Sequence, residues 1–199
     1  MRIFIIVSVL IFVFQSWTKA DDIKDFQIEG MSIGDSLLEF FSEKKIKERK
    51  AITSSNYKSK DYIRVYFPLS NSENYNVANI HYKNDSKYEI ASVSGAIMYD
   101  YTFEECFTKQ KIIFDDLKKL FPTAETEGDP KRKIIFKADK TKKSIYSTVK
   151  YVIEGGYIDI RCTILSKEFR KKYSSVGSSL QVIAHSKEFI DWIRYKAHK

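Results

Sequence analysis

The sequence predicts an α+β fold: one or more antiparallel sheets with helices packed on one face. Three observations carry this. Strand-length runs rich in Tyr, Ile and Val recur between turn sequences. One central segment repeats apolar residues at helical spacing along its whole length. A Gly155-Gly156 pair separates two apolar runs, as a hairpin turn does. The 199 residues include 14 Phe and 13 Tyr but only 7 Gly and 3 Pro. That composition suits a packed, strand-rich domain and argues against disorder.

The chain begins as an export signal. Met1 and Arg2 form a short positive start, and Ile3 to Phe14 is apolar except for Ser8. Thr18 and Ala20 are small enough for the −3 and −1 pockets of a signal peptidase, so residues 1–20 are expected to be cleaved between Ala20 and Asp21. A spanning helix needs about 20 apolar residues. This run falls short even when extended to Trp17, so no stable membrane span is expected after cleavage. The mature chain, 21–199, is then a single α+β domain with possible sub-units 25–99 and 100–199. It is expected to be periplasmic or secreted.

Asp35 or Ser36 is placed to cap a helix carrying Leu37, Leu38, Phe40 and Phe41, ending in the cations Lys44, Lys45 and Lys47. Residues 48–60 read as a polar loop. Three strands follow, at 62–67, 75–82 and 88–98, the last able to bend at Gly95. Thr102 and Glu105 form a capping box, with Tyr101 and Cys106 as its hydrophobic staple. Phe103, Cys106, Phe107, Ile113, Phe114, Leu117, Leu120 and Phe121 share a helical stripe that stops at Pro122. Residues 123–130 read as a loop.

A second set of strands is expected at 133–138, 144–153 and 157–165. With Gly155-Gly156 as the turn, Tyr151 faces Ile160 and Val149 faces Cys162 on an apolar face, while Lys150 faces Arg161 on a wetter one. Residues 166–177 read as a basic loop or irregular helix. A short strand at 180–184 and a helix capped by Ser186, with Phe189, Trp192 and Ile193 on one side, complete the order.

Cys106 therefore lies on the apolar face of the central helix, and Cys162 on the apolar face of the hairpin that covers it. In an oxidising compartment a Cys106–Cys162 disulfide is the natural expectation. The competing reading is two buried thiols acting as small hydrophobes.

Candidate chemistry is scarce. Gly34-Asp35-Ser36-Leu37 spells the tetrapeptide of the GDSL esterases and lipases, in which the serine is the nucleophile. A serine hydroxyl needs a base and a charge-stabilising pocket. Here no apolar strand precedes the motif, no G-x-N-D follows, and none of His81, His185 or His198 has an Asp three residues before it. The disfavoured alternative is thus a serine esterase using Ser36, and the structural reading is a helix cap. The histidines are isolated in sequence, without metal-ligand spacing. No catalytic, cofactor-binding or metal residue is assigned, and no cofactor is expected. Asn84-Asp85-Ser86 is formally a glycosylation sequon.

The chain carries a net charge of +8, falling to +6 once Arg2 and Lys19 leave with the signal. The basic residues between Lys131 and Lys143 and from Arg170 to Lys172 read as scattered over loops and strand exteriors, not interleaved with aromatics. A solvated face is the simpler reading, and anionic envelope surfaces are the other. Export makes nucleic acid an unexpected partner.

The segment 25–38, DFQIEGMSIGDSLL, resembles the mature start of a group of small exported proteins of AT-rich planktonic marine bacteria. Residues 105–110 (ECFTKQ), 161–163 (RCT) and 182–189 (VIAHSKEF) are similar too. The resemblance implies an envelope location and carries no activity or functional residues. The expectation for function is a non-enzymatic binding or interaction module meeting an envelope component or protein partner.

Overall fold

The computed structural model describes residues 22–52, 57–70, 72–98, 102–173 and 177–199. The signal segment, its cleavage point at Ala20 and Asp21, and the staple residue Tyr101 lie outside them.

Among the described residues all named strands join one antiparallel sheet. They are β1 (Tyr62–Pro68), β2 (Val77–Lys83), β3 (Ile90–Met98), β4 (Glu125–Glu127), β5 (Ile134–Ile135), β6 (Ile145–Ile153), β7 (Gly156–Ile164) and β8 (Ser179–Ser186). The order is β1-β2-β3-β8-β7-β6-β4, with β5 also on β6. β8 sits between β3 and β7 and pairs with both. The last strand in the chain thus fuses the two sequence sub-units, 25–99 and 100–199, into one sheet.

The helices are α1 (Glu43–Ile52), α2 (Phe103–Leu120), α3 (Lys167–Lys172) and α4 (Lys187–Tyr195). α2 starts where the capping box places it: the Thr102 hydroxyl accepts from the Glu105 amide, and Glu105 accepts from the Thr102 amide. Its buried stripe is Cys106, Gln110 and Leu117, continued by Phe121. Gln110 breaks the apolar pattern yet is fully buried. Its amide donates to the Ile160 carbonyl and accepts from the Ser147 hydroxyl, each at 2.9 Å.

One face of the sheet carries Val65, Phe67, Ile80, Val93, Val182, Ile158 and Ile160, and α2 and the N-terminal segment Ile23 to Leu37 close over it. The helices do not all lie on one face as expected: α4 packs on the opposite face, because Tyr62, His81 and Ala91 give that face an aromatic and apolar patch to bury. Phe189 meets the rings of Tyr62 and His81 there, and Trp192 meets Tyr62.

Several boundaries moved. The helix expected after Ser36 is a single 3₁₀ turn, Leu37–Glu39, followed by α1, which continues to Ile52 through part of the expected loop. β4 forms within the expected 123–130 loop, β5 is only two residues of the expected 133–138 strand, and β8 is longer than expected. Gly95 does not bend β3; it stays in register opposite Ala78 and Val182. A Cβ there would lie 2.5 Å from the Tyr75 ring, so the glycine makes room for an aromatic.

The β6–β7 register is also corrected. Tyr151 faces Ile158, Val149 faces Ile160 and Lys150 faces Asp159. The turn is Glu154-Gly155, with Gly155 at φ +74°. Gly156 belongs to the strand because β8 presses on it: a Cβ there would fall 2.0 Å from the His185 carbonyl oxygen. The shift is two residues, so each side chain keeps its expected face.

Cys106 and Cys162 meet as expected, with Cα atoms 5.9 Å apart and sulfurs at bonding distance, 2.01 Å. Both are fully buried between α2 and β7. Among the described residues no helix is long and apolar enough to cross a membrane.

Candidate functional site

On the sheet face opposite α2, side chains align in rows across the strands. One row is Arg64, His81, Ser92, His185 and Tyr157; the next is Tyr66, Asn79, Ser94, Ile183 and Asp159. The third brings Gln181, Arg161 and Thr148 together, and the fourth Ser179, Thr163 and Tyr146. α4 covers the first row. Gln181 and Arg161 of the third and all three of the fourth form the floor of a cleft of about 590 Å³.

Its walls come from two distant segments. Phe136, Lys137 and Ala138 lie in the connection leading to β6, and Leu165, Phe169 and Tyr173 lie in and around α3. Phe136 meets Phe169 edge-to-face at 5.6 Å, Phe169 meets Tyr173 at 4.7 Å, and Phe136 meets Tyr146 at 6.5 Å. These distances suit tilted aromatic pairs, which add to the apolar area they bury.

Asp139 joins the walls. Its side chain is only 3% exposed. It accepts from the hydroxyls of Ser144, Thr141 and Ser166 and from the amides of Ser144 and Thr141. Those donors, Ser144 foremost, hold its carboxyl well below the usual aspartate range. Ser166 also caps α3 by accepting from the Phe169 amide. A Lys143–Glu168 ion pair closes the outside of the same junction.

This junction corrects the reading of the basic residues as scattered. Eight lysines and arginines fall within 137–143 and 167–172, against only Asp139 and Glu168. The two segments, some 25 residues apart in the chain, are held side by side and carry a net of six positive charges. They interleave with Phe136, Phe169 and the 44%-exposed Tyr173.

Arg161 in the floor pairs with Asp159 of the row behind it, which is 1% exposed and also accepts from the Thr148 hydroxyl. The Arg161 Nε is buried and makes no hydrogen bond. The floor and walls thus offer aromatic faces, hydroxyls, an amide and cations, a set suited to binding.

The residues singled out from sequence go elsewhere. Ser36 caps the Leu37–Glu39 turn: its hydroxyl accepts from the Leu38 amide and donates to the Lys87 carbonyl at 2.8 Å. Ser92 and His185 make a serine–histidine contact invisible in the sequence, at 2.9 Å. Ser92 is 1% exposed and lies under α4, so no substrate reaches its hydroxyl. Burial pushes His185 down to about 4 and His81 well below the ordinary histidine value. His198 does not fray; its ring meets Tyr57, whose neighbour Lys58 donates to the Ala197 carbonyl. Among the described residues no three His, Cys, Asp or Glu side chains are placed to hold a metal.

Sequence reasoning missed the cleft because its floor alternates with core residues and its walls meet only through contacts between distant segments, Asp139–Ser166, Lys143–Glu168 and Phe136–Phe169 among them. The available signal was Phe136 and Phe169, apolar residues inside basic segments that a purely solvated face would not need. Comparison with protein-family models, with curated proteins and with solved structures finds no match for this chain.

Proposed function

We propose that this is an exported, non-enzymatic binding protein that takes an envelope ligand in the cleft between α3 and the segment leading to β6. The cleft itself carries the reading. Its volume, about 590 Å³, suits a small-molecule site, for which roughly 300–1,000 Å³ is usual. Its floor is built on paired strands and its walls are tied by Asp139, so the lining is held in place before any ligand arrives.

Export is supported by the N-terminal pattern of residues 1–20 and by the buried Cys106–Cys162 pair, which an oxidising compartment maintains. Expression of the full chain with N-terminal sequencing of the exported fraction tests this: a mature start at Asp21 supports export, and retention of Met1 in the cytoplasm overturns it. Ligand screening by calorimetry tests the cleft, with Thr163→Trp as the control that fills it. Loss of binding in that variant is expected; a ligand that binds it unchanged sits elsewhere.

A further inference from the structure

We propose that the cleft's ligand is an acidic saccharide chain, recognised through its carboxylates by Arg161 and the surrounding cations and through its rings by the aromatic walls. This rests on the binding reading above and narrows it to a chemical class. Three independent features converge.

The first is an accessible guanidinium in the floor. Arg161 gives one terminal nitrogen to Asp159, while its Nε is buried without a partner. The rest of the Arg161 side chain is 39% exposed and lines the cleft, so a ligand carboxylate there can meet the guanidinium in a charge-assisted contact, and that planar fork fits a carboxylate better than a lone ammonium does.

The second is the shape and chemistry of the lining. Phe136, Phe169 and Tyr173 offer apolar faces against which the C–H face of a sugar ring can lie. Gln181, Thr163 and Tyr146 offer groups that hydroxyls can bond. A purely apolar ligand would leave those polar groups unpaired, which is costly once water is excluded.

The third is the field. Lys137 lines the cleft beside Arg161, and the stretches 137–143 and 167–172, which supply its walls, carry a net of six positive charges; such a field raises the local concentration of an anion and its rate of entry. The cations in contact with the site, Lys137 and Arg161, line a concavity rather than crown a protruding apolar surface. That favours a chain entering the cleft over a lipid surface that stays outside it.

The test is calorimetric titration of the purified protein with an oligouronate, the neutral oligosaccharide of the same linkage, and vesicles of anionic phospholipid. The expected result is an oligouronate affinity at least about tenfold above that of the neutral chain, weakening as salt is raised. Lys137→Glu with Lys140→Glu, both at exposed positions where folding is not at stake, should remove most of that preference. Thr163→Trp should abolish binding. Equal affinity for the two saccharides, both lost in Thr163→Trp, would overturn the acidic ligand and leave the cleft reading intact. Oligouronate binding that survives Thr163→Trp would overturn both. Binding to vesicles alone, or to none of the probes, would overturn the saccharide.

Discussion

The hydroxyl of Ser166, which caps α3, donates to the carboxylate of Asp139 at 2.9 Å. This bond joins the two walls of the cleft, one entering β6 and the other leaving β7 at the open end of the same hairpin, where Ile145 pairs with Ile164.

Asp139→Asn should lower the melting temperature at neutral pH and loosen both walls together. The carboxyl is depressed in the fold by its donors, so it stabilises the protein above its ordinary value of 3.8. That contribution is lost as pH falls below 3.8 toward the folded value. The melting-temperature gap between wild type and variant should therefore close in acid. A gap that persists undiminished near pH 2, roughly two units below the ordinary aspartate value, would count against this role.

Acid should also act through the buried histidines. His185 titrates at about 4 in the fold and 6.5 when exposed, chiefly through burial, with Asp159 opposing and Arg161 and Lys150 assisting. The fold excludes the proton, so stability is complete above 6.5 and falls between 6.5 and 4. The loss from His185 is at most roughly 3 kcal/mol, and His81 adds to it in the same direction. Urea unfolding across that range checks this, with His185→Gln expected to flatten the slope.

Reduction of the Cys106–Cys162 bond should cost about 4 kcal/mol in the chain-entropy model, given a sequence separation of 56 residues. Denaturant midpoints with and without a thiol reductant measure it. The paired substitution Cys106→Ala, Cys162→Ala should reproduce the reduced value and become insensitive to reductant.

Gln110→Ala should cost about 1–3 kcal/mol, because it strands the buried Ser147 hydroxyl and opens a gap under α2. Adding Ser147→Ala should recover part of the loss. Simple additivity of the two substitutions would show that the pair is not coupled.

Gly155→Ala should cost about 1–2 kcal/mol for its left-handed backbone. Gly156→Ala should cost more, because backbone rather than a flexible side chain stands in its way. Equal effects would contradict the register observed here.

Much of this was legible in the residues. The capping box at Thr102, the helical stripe through Cys106 and Leu117, and the alternation along 145–164 each follow from local chemistry and period. So did the α+β class and the meeting of Cys106 with Cys162, since both cysteines lie on apolar faces that must bury each other. The β6–β7 register slipped by two because either glycine of the pair could turn the chain, and only the approach of β8 distinguishes them.

The amino-acid sequence by itself determined which faces are apolar, where helices begin and which cysteines can pair, because those depend on neighbours within a few turns or one hairpin. The tertiary structure alone decided that β8 fuses the two halves into one sheet. It also decided that two basic segments stand together beside a cleft, and that Arg161 in its floor is held by the buried Asp159. Strand order and the Asp139 junction join residues far apart in the chain, and the energies that select them arise only once the sheet has closed.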